Sequence, residues 1–304
     1  MPYTKIRQNI FPILAALIWG TAFAAQSICA EYIEPFTFNA LRGFIAFLML
    51  ALVSWLFTKI DVLRRAAPNV SGTWRDLVLG GIVAGTLLAL ASNLQQAGLS
   101  ETSAGKAGFI TALYVVLVPV FGIFLRKKAA SIIWISVALA VSGLYLLCVK
   151  EDFSLAASDV LVLMCAVVFA VHILCLDHFV KKVDGIKLSC AQFLVTGIWS
   201  AILMGIFENP QLHLIMQCIL PILYVAIFSS GVAYTLQILA MRGSDPTVVT
   251  ILLSLESVFS VVAGALLLGD ALAGREYLGC AIMFAAVILA QLGPRKKKPE
   301  RPLS

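Results

Sequence analysis

Glu256 is an ionisable residue in the middle of a long apolar stretch, where a charge is costly and suggests chemistry. It is the tenth residue of a stretch that begins at Thr247, so a helix would place it about 14 Å along its axis. An ionisable group at the centre of a bilayer costs about 3 kcal/mol unless it lines a cavity or has a partner. Two roles fit: a protonatable coupling site, or a counter-charge for a cationic solute. The alternative is a protonated carboxyl that hydrogen-bonds between helices.

Three further ionisable residues lie inside apolar stretches. His172 is near the middle of its stretch, where an imidazole can exchange a proton near neutral pH, so we predict it as a second coupling residue. The alternative for His172 is a buried packing role. Arg42 lies about 10 Å inside its stretch and is expected either to bind an anion or to pair with Glu31 or Glu34. Lys106 is expected to reach the interface by its own stem.

Uncharged polar and aromatic side chains recur at similar depth in several stretches. Amides can hydrogen-bond the polar head of a small polar or zwitterionic solute while aromatic rings cover its apolar part. The alternative is hydrogen bonding between helices, which membrane proteins also use. The predicted solute-binding residues are Trp19, Asn39, Arg42, Asn93, Gln95, Tyr114, Gln192, Tyr234 and Gln237.

Motifs for metal, nucleotide or disulfide chemistry are missing from the sequence. The three histidines form no HExxH pattern, and no GxxxxGK[ST] motif for ATP occurs. The seven cysteines form no CxxC pair and all fall in or beside apolar stretches, so they are interpreted as small hydrophobic residues rather than disulfide or metal partners. We therefore expect no catalytic residues, no metal and no cofactor.

The composition excludes a soluble globular protein. Of 304 residues, 61% are apolar and only 12% are charged, against roughly 45–50% and about 25% in soluble domains. Disorder is excluded for the same reason. The net charge of +6 does not indicate a nucleic-acid partner, because the basic residues sit in short runs between apolar stretches. The expected surroundings are a lipid bilayer.

Ten apolar stretches are long enough for membrane-spanning helices, which need about 20 residues. Pro12, Pro119 and Pro221 lie inside such stretches and are expected to kink them. Gly80, Gly81 and Gly85 form a small-residue face in the third. The predicted spans are 9–28, 35–57, 77–97, 103–125, 131–149, 159–178, 187–207, 215–239, 245–268 and 273–292.

The basic residues predict how these helices are oriented, because Lys and Arg are retained on the cytoplasmic side. With ten helices and the N-terminus inside, inner segments hold 18 of the 22 basic residues, whereas nine of the 16 acidic residues fall in outer loops. A multi-pass protein of the cytoplasmic membrane with both termini in the cytoplasm is therefore predicted.

The two halves of the chain also resemble each other in sequence. Residues 11–52 match 161–202 at an offset of 150, and residues 80–149 match 222–291 at an offset of 142. Because each half has five spans, an odd number, the second half enters the membrane from the opposite face, as in many secondary transporters. The predicted units are an inverted pair of five-helix repeats, 1–150 and 151–293, followed by a basic cytoplasmic tail, 294–304.

Four short motifs stand in order along the predicted helices: Leu17 to Phe23 (LIWGTAF), Leu41 to Phe44 (LRGF), Ala107 to Pro119 (AGFITALYVVLVP), and Leu255 to Phe259 (LESVF), running to Leu268-Gly269-Asp270. With these motifs, the pattern of ten helices resembles the EamA-type members of the drug/metabolite transporter superfamily over nearly the whole chain. In that family the ninth helix often has Pro where Ser257 stands and Glu where Asp270 stands.

The resemblance implies a carrier of small metabolites or drugs, including amino acids and related solutes, with a central cavity alternately open to each side. Together with the polar residues it predicts a secondary transporter, not an enzyme, with Glu256 and His172 as proton-coupling residues. A channel or a non-transporting membrane scaffold is the alternative, and an intramembrane enzyme is a weaker one. The expected partners are a small-molecule solute, the bilayer and a second copy in a homodimer. The solute and the direction of transport are left open.

Overall fold

The computed structural model describes residues 2–59, 72–102, 104–126, 130–148, 156–242, 244–268 and 274–292. Most of these residues are helical, and no strand occurs among them. The predicted basic tail, 294–304, and the predicted boundary between the repeats near residue 150 lie outside the described residues.

The helices follow the predicted spans closely. Within the described residues, nine helices are long and apolar enough to cross a membrane, and Ser131–Leu146 is a shorter apolar helix. The all-α membrane fold is thus confirmed, with helical structure at each of the ten predicted spans. The helices are α1 Pro2–Ala30, α2 Pro35–Lys59, α3 Trp74–Gly98, α4a Ala104–Ala112, α4b Tyr114–Phe124, α5 Ser131–Cys148, α6 Ala157–Phe179, α7 Gly185–Phe207, α8a Leu212–Gln217, α8b Ile219–Tyr224, a π-helix Val225–Ala233, α8c Tyr234–Met241, α9a Pro246–Leu253, α9b Glu256–Leu268 and α10 Gly274–Leu292.

Side-chain caps fix where several helices begin. Thr73 and Asp76 form a reciprocal capping box at α3. Asp184 Oδ1 accepts hydrogen bonds from the first N–H groups of α7. The start of α2 is capped from another helix end, because the Glu208 carboxylate, just after α7, accepts from the Phe36 and Thr37 N–H groups.

Packing between the helices follows the predicted two-fold relation between the halves. Helix α2 packs on its mate α7, and α5 packs on its mate α10. Further contacts also come in pairs: α1 with α8 and α9 matches α6 with α3 and α4, and α3 with α7 matches α8 with α2. Two hydrogen bonds repeat the same relation at atomic level, because Asn39 donates to Asn93 (2.9 Å) and their mates Thr235 and Ser189 are joined at 3.0 Å.

Small residues let the helices approach closely where the halves meet. A Cβ atom on Gly43 of α2 would lie 2.8 Å from the Gly197 Cα atom of α7. The predicted glycine face of α3 packs in the same way: Cβ atoms on Gly81 and Gly85 would lie 2.6 Å from Ala191 and from the Gln192 carbonyl oxygen of α7. Glycine at these positions is a packing requirement, as expected for membrane helices.

Candidate functional site

A cavity lies between the two halves, where α1, α2, α3, α4, α6, α8 and α9 meet. Its volume is about 40 Å³, which is room for about three water molecules. An amino acid is larger, so binding one requires the walls to move apart. The lining residues are Trp19, Phe23, Gln26, Arg42, Gln95, Thr111, Tyr114, Phe169, Ile173, Ser229, Tyr234, Gln237 and Glu256.

Two broken helices bring a carboxyl group and a phenol together in this cavity. Helix α4 breaks at Leu113 and restarts at Tyr114, and helix α9 breaks after Leu253 and restarts at Glu256. Tyr114 and Glu256 are mates at the offset of 142, and the Tyr114 hydroxyl donates to Glu256 Oε1 at 3.1 Å. Mates that touch must lie close to the axis relating the halves. In inverted-repeat transporters that axis lies in the membrane plane, and broken helices form the binding site there.

Glu256 is buried at the irregular point of the ninth helix. It is the first residue of α9b, and the following Ser257 and Phe259 N–H groups bond to the Ser254 and Leu255 carbonyl oxygens. Glu256 is only 3% exposed, so groups of the protein rather than water surround its carboxyl group. Among the residues that the structure describes, Tyr114 is the side chain that donates a hydrogen bond to the Glu256 carboxyl group.

Arg42 brings a buried positive charge to the same cavity. Its Nε donates to Ser230 Oγ at 2.9 Å, and its Nη1 lies 3.4 Å from both Gln26 Oε1 and Asn39 Oδ1. The Tyr234 hydroxyl also lies close to the guanidinium. Among the residues that the structure describes, no carboxylate is within ion-pair distance of Arg42.

The predicted pairing of Arg42 with Glu31 or Glu34 is therefore wrong. Both glutamates are exposed near the end of α1 and the start of α2, whereas the guanidinium turns inward to the neutral groups of α1 and the π-helix. Arg42 thus remains available to an anion that enters the cavity.

Gln237 provides a hydrogen-bond acceptor without a donor. Its Oε1 atom has no hydrogen-bond partner in the described part of the chain, although the residue is only 3% exposed. The mate of Gln237, Gln95, donates to Thr111 Oγ1 at 3.1 Å. In the second half Leu253 occupies the position that corresponds to Thr111, so the hydrogen bond made by the Gln95 amide nitrogen has no equivalent at Gln237. A buried unpaired polar atom is costly and points to a ligand or water.

The π-helix of α8 shapes the opposite wall. Its wider turn leaves the Ser229 carbonyl oxygen to accept from both the Tyr234 N–H and the Trp19 indole N–H, the latter at 3.2 Å. The Trp19 and Tyr234 rings meet edge to face, with centroids 4.8 Å apart. Such π segments often mark functional sites, and this one sets an aromatic pair beside Arg42.

The structure brings most of the predicted site residues together. Seven of them line the cavity: Trp19, Arg42, Gln95, Tyr114, Tyr234, Gln237 and Glu256. Four lie behind its wall and bond to protein atoms. Asn39 donates to Asn93, which donates to Ser200, and His172 Nε2 pairs with Gln192 Oε1 at 3.1 Å. These four occupy the interhelical arrangement that was the alternative, and their binding or coupling roles stay predictions.

Sequence reasoning missed six lining residues: Phe23, Gln26, Thr111, Phe169, Ile173 and Ser229. A signal for some of them was available. Phe169 and Ile173 are the mates of Trp19 and Phe23 at the offset of 150. Trp19, Phe23 and Gln26 share one face of α1 at helical spacing. Thr111 and Ser229 give no such signal, because their exposure to the cavity depends on the helix break and the π-helix.

Lys106 does not simply extend toward solvent. Its ammonium group pairs with Asp159 at the start of α6, at 2.5 Å, and Thr102 also donates to that carboxylate. The pair joins the first half to the second. Elsewhere in the described chain, no three His, Cys, Asp or Glu side chains come together as a metal-binding group.

Comparison with known proteins agrees with this architecture. The EamA-like transporter family matches the chain twice, over residues 7–149 and 156–292. An uncharacterized transporter of Archaeoglobus fulgidus is 30% identical over 282 residues, covering 92% of this chain and 84% of its own. The uncharacterized transporter YwfM of Bacillus subtilis is 23% identical, covering 95% of both chains.

Two further proteins are similar to this chain. A WAT1-related chloroplastic protein of Arabidopsis thaliana is 25% identical, covering 89% of this chain and 66% of its own. A solved crystal structure superposes with a TM-score of 0.76 at 20% identity, covering 94% of this chain and 96% of that one. The two family matches, one in each half, complete the case built from the helices and their symmetry: this chain is a multi-pass membrane protein that belongs to the EamA-like transporter family.

Proposed function

We propose that this protein is a secondary transporter that moves a small zwitterionic solute with an apolar part, an amino acid or a related metabolite, across the cell membrane. Transport proceeds by alternating access, with both termini in the cytoplasm. The observation that carries the proposal is one cavity lined by two buried side chains that can carry opposite charges, Arg42 and Glu256. Neither Arg42 nor any other described cation forms an ion pair with Glu256.

The chemistry of the lining fits the two ends of such a solute. The Arg42 guanidinium presents a planar fork of N–H donors that matches a carboxylate. The Glu256 carboxylate and the unpaired Gln237 Oε1 are acceptors for an ammonium group. Trp19 and Tyr234 provide rings that cover an apolar side chain. Together these groups favour a zwitterion over an ion of either sign.

Proton coupling is proposed at Glu256. A proton and an ammonium group compete for the same carboxylate, so loading the solute displaces the proton and reloading the proton releases the solute. His172 is the weaker coupling candidate because it lies behind Tyr234, with ring centroids 6.4 Å apart, and bonds to Gln192. The relation between α4 and α9 supports alternating access, because each half supplies one broken helix to the same point.

Counterflow in proteoliposomes tests this function. The purified protein is reconstituted with unlabelled L-phenylalanine or L-leucine inside, and entry of the same labelled amino acid is followed with and without a pH gradient. We expect saturable counterflow that responds to the gradient. Arg42→Gln should raise the half-saturating concentration at least tenfold, because the carboxylate loses a charged partner worth about 1.4 kcal/mol or more.

The Glu256→Gln variant tests proton coupling. It should retain the Tyr114 contact and lose the response to the pH gradient. Glu31→Gln, which changes an exposed acid outside the cavity, is the matched control and should behave as the unmodified protein. Entry that rises linearly with concentration would favour a channel, and absence of entry for every zwitterion would contradict the proposed solute class.

A further inference from the structure

A buried pair of polar side chains between α6 and α7 leaves two atoms without hydrogen-bond partners. His172 Nε2 and Gln192 Oε1 are 3.1 Å apart, and both residues have 0% exposure. Because an amide oxygen only accepts, the imidazole proton is on Nε2 and the Nδ1 atom keeps a free lone pair. Within the residues that the structure describes, neither His172 Nδ1 nor Gln192 Nε2 has a partner. Such unpaired buried atoms are costly and point to a ligand or to water.

Two aromatic rings separate this pair from the cavity. The His172 ring lies edge to face with the Phe169 ring and with the Tyr234 ring, and the centroids are 6.4 Å apart in both contacts. Phe169 and Tyr234 line the cavity. The pair is therefore one layer of side chains behind the cavity wall. Movement of that wall would bring the free N–H groups of Gln192 within reach of a solute.

The repeat gives Gln192 a counterpart that already lines the cavity. At the offset of 150 its mate is Arg42. Arg42 is the seventh residue after Pro35, where α2 begins, and Gln192 is the seventh after Gly185, where α7 begins. Each is therefore about 10 Å from the start of its helix. In an inverted repeat these two helix starts are at opposite faces of the membrane.

The relation between the halves indicates what the pair does when access changes from one face to the other. Alternating access moves one half against the other around a fixed site. In the symmetry-related arrangement, α6 and α7 lie against the cavity as α1 and α2 do here, so Gln192 takes the place of Arg42. We infer, building on the proposed function, that Gln192 binds the solute carboxylate in the state open to the cytoplasm, with His172 as its positioning residue.

The two contacts differ in charge, so the affinity for the solute should differ between the two faces. A guanidinium binds a carboxylate through charged hydrogen bonds, whereas an amide donates from a neutral group. Uptake of labelled L-leucine is measured in proteoliposomes of one orientation, from each face in turn. The half-saturating concentration should be about fivefold higher or more at the cytoplasmic face. Arg42→Gln should remove most of this difference, because both faces then present an amide.

Chemical labelling at position 192 tests the inference without a solute. Gln192→Cys protein in proteoliposomes is treated with a membrane-impermeant maleimide from one face at a time, and mass spectrometry of the peptides separates this position from the native cysteines. We expect labelling from the cytoplasmic face. Ser189→Cys is the matched control and should stay unlabelled, because Ser189 is equally buried on α7 and its mate Asn39 lies behind the cavity wall. Absence of labelling at position 192, labelling from the outer face, or equal labelling of both variants would overturn the inference.

Gln192→Ala provides a second test that does not depend on a new cysteine. It should raise the half-saturating concentration about threefold or more at the cytoplasmic face and leave the value at the outer face nearly unchanged. His172→Ala should cause the same one-sided change, because the amide loses the partner that holds it. Equal changes at both faces would mean a structural role and would overturn the inference. Labelling of position 192 as expected, with no uptake by the unmodified protein from either face, would count against the proposed function instead.

Discussion

Helices α4 and α9 break at symmetry-related residues, whereas helices α3 and α8, which are related by the same offset, differ in their backbone. Helix α3 is one regular helix from Trp74 to Gly98. Its mate is interrupted at Cys218 and turns into a π-helix at Val225–Ala233. The shared breaks place Tyr114 against Glu256 near the axis. The unshared π-helix gives one wall its aromatic pair and its contact with Arg42 through Ser230.

The difference between conserved and changed positions of the two repeats shows which residues supply the charged groups of the site. Positions that keep their role in both halves, such as the Asn39–Asn93 and Ser189–Thr235 hydrogen bonds, hold helices together. Positions that change between halves carry the charges. Arg42 corresponds to Gln192, and Glu256 corresponds to Tyr114. The repeat therefore provides the scaffold, and departures from it provide a polarised site.

The largest effect is expected where the halves are in backbone contact. Gly43→Leu should place a side chain against the Gly197 backbone, where a Cβ atom alone would be 2.8 Å away. We expect a loss of about 3 kcal/mol or more in unfolding free energy, because close packing has no room for added volume. The measurement is the yield of monodisperse protein and its melting temperature in detergent.

Gly205→Leu is the control for this change, because a Cβ atom there meets nothing within 4 Å. It should fold like the unmodified protein. Equal losses in the two variants would show that leucine in these helices is harmful for a reason other than the contact between α2 and α7.

An effect of intermediate size on stability is expected when the two symmetry-related hydrogen bonds are removed one at a time. Asn39→Ala removes a donor to Asn93 and to the Ser92 carbonyl oxygen and an acceptor from Arg42. Leaving such buried groups unpaired should cost about 1–3 kcal/mol. Ser189→Ala should cost only about 0.6 kcal/mol, because the Thr235 hydroxyl still contacts the Gly231 carbonyl oxygen at 2.7 Å. Thermal denaturation of both variants measures the difference, and a larger loss for Ser189→Ala would contradict this account.

The smallest effect concerns the caps of the mates α2 and α7. Glu208→Gln should destabilise by about 1 kcal/mol, because the carboxylate accepts from Phe36 N–H, Thr37 N–H and Thr37 hydroxyl and carries charge at a helix start. Asp184→Asn should cost only about 0.3 kcal/mol, since asparagine is an equally good N-cap. Melting temperatures report both. A reversed order would mean that the contact from α7 to α2 adds no stability.

Most of the fold is predictable, because a membrane span is recognised from the total hydropathy of about 20 residues, and a few atypical residues do not change that total. Helix breaks and the π-helix depend on single positions, so they produce no comparable signal in hydropathy. The kink expected at Pro119 stays a prediction, because α4b includes this residue, and the interruption of the fourth helix falls at Leu113. Similarly, α1 continues through Pro12. Nothing in residues 225–233 predicts a π-helix.

The candidate site follows the same division. Glu256 and Tyr114 could be paired from the offset alone, because the repeat fixes their relation. The partners of Arg42 could not, because a flexible side chain reaches either the nearby glutamates or the interior, and only the rotation of α2 against α1 and α8 decides between them. For a similar reason, the sequence did not predict that His172 and Gln192 lie outside the cavity lining. The depth of a residue in the membrane can be estimated from the sequence, but the direction in which its side chain faces cannot.

The Lys106–Asp159 pair has no counterpart in the other repeat, where the corresponding positions hold Val248 and Asn9. The opposite end of the bundle is joined at other positions, by the more exposed Asp76–Lys182 pair at 3.8 Å. Dissolved salt weakens attraction between charges but, for strongly hydrated anions such as sulfate, strengthens apolar association. Ionic strength should therefore weaken the charged contacts at both ends of this molecule while tightening the apolar contacts between them.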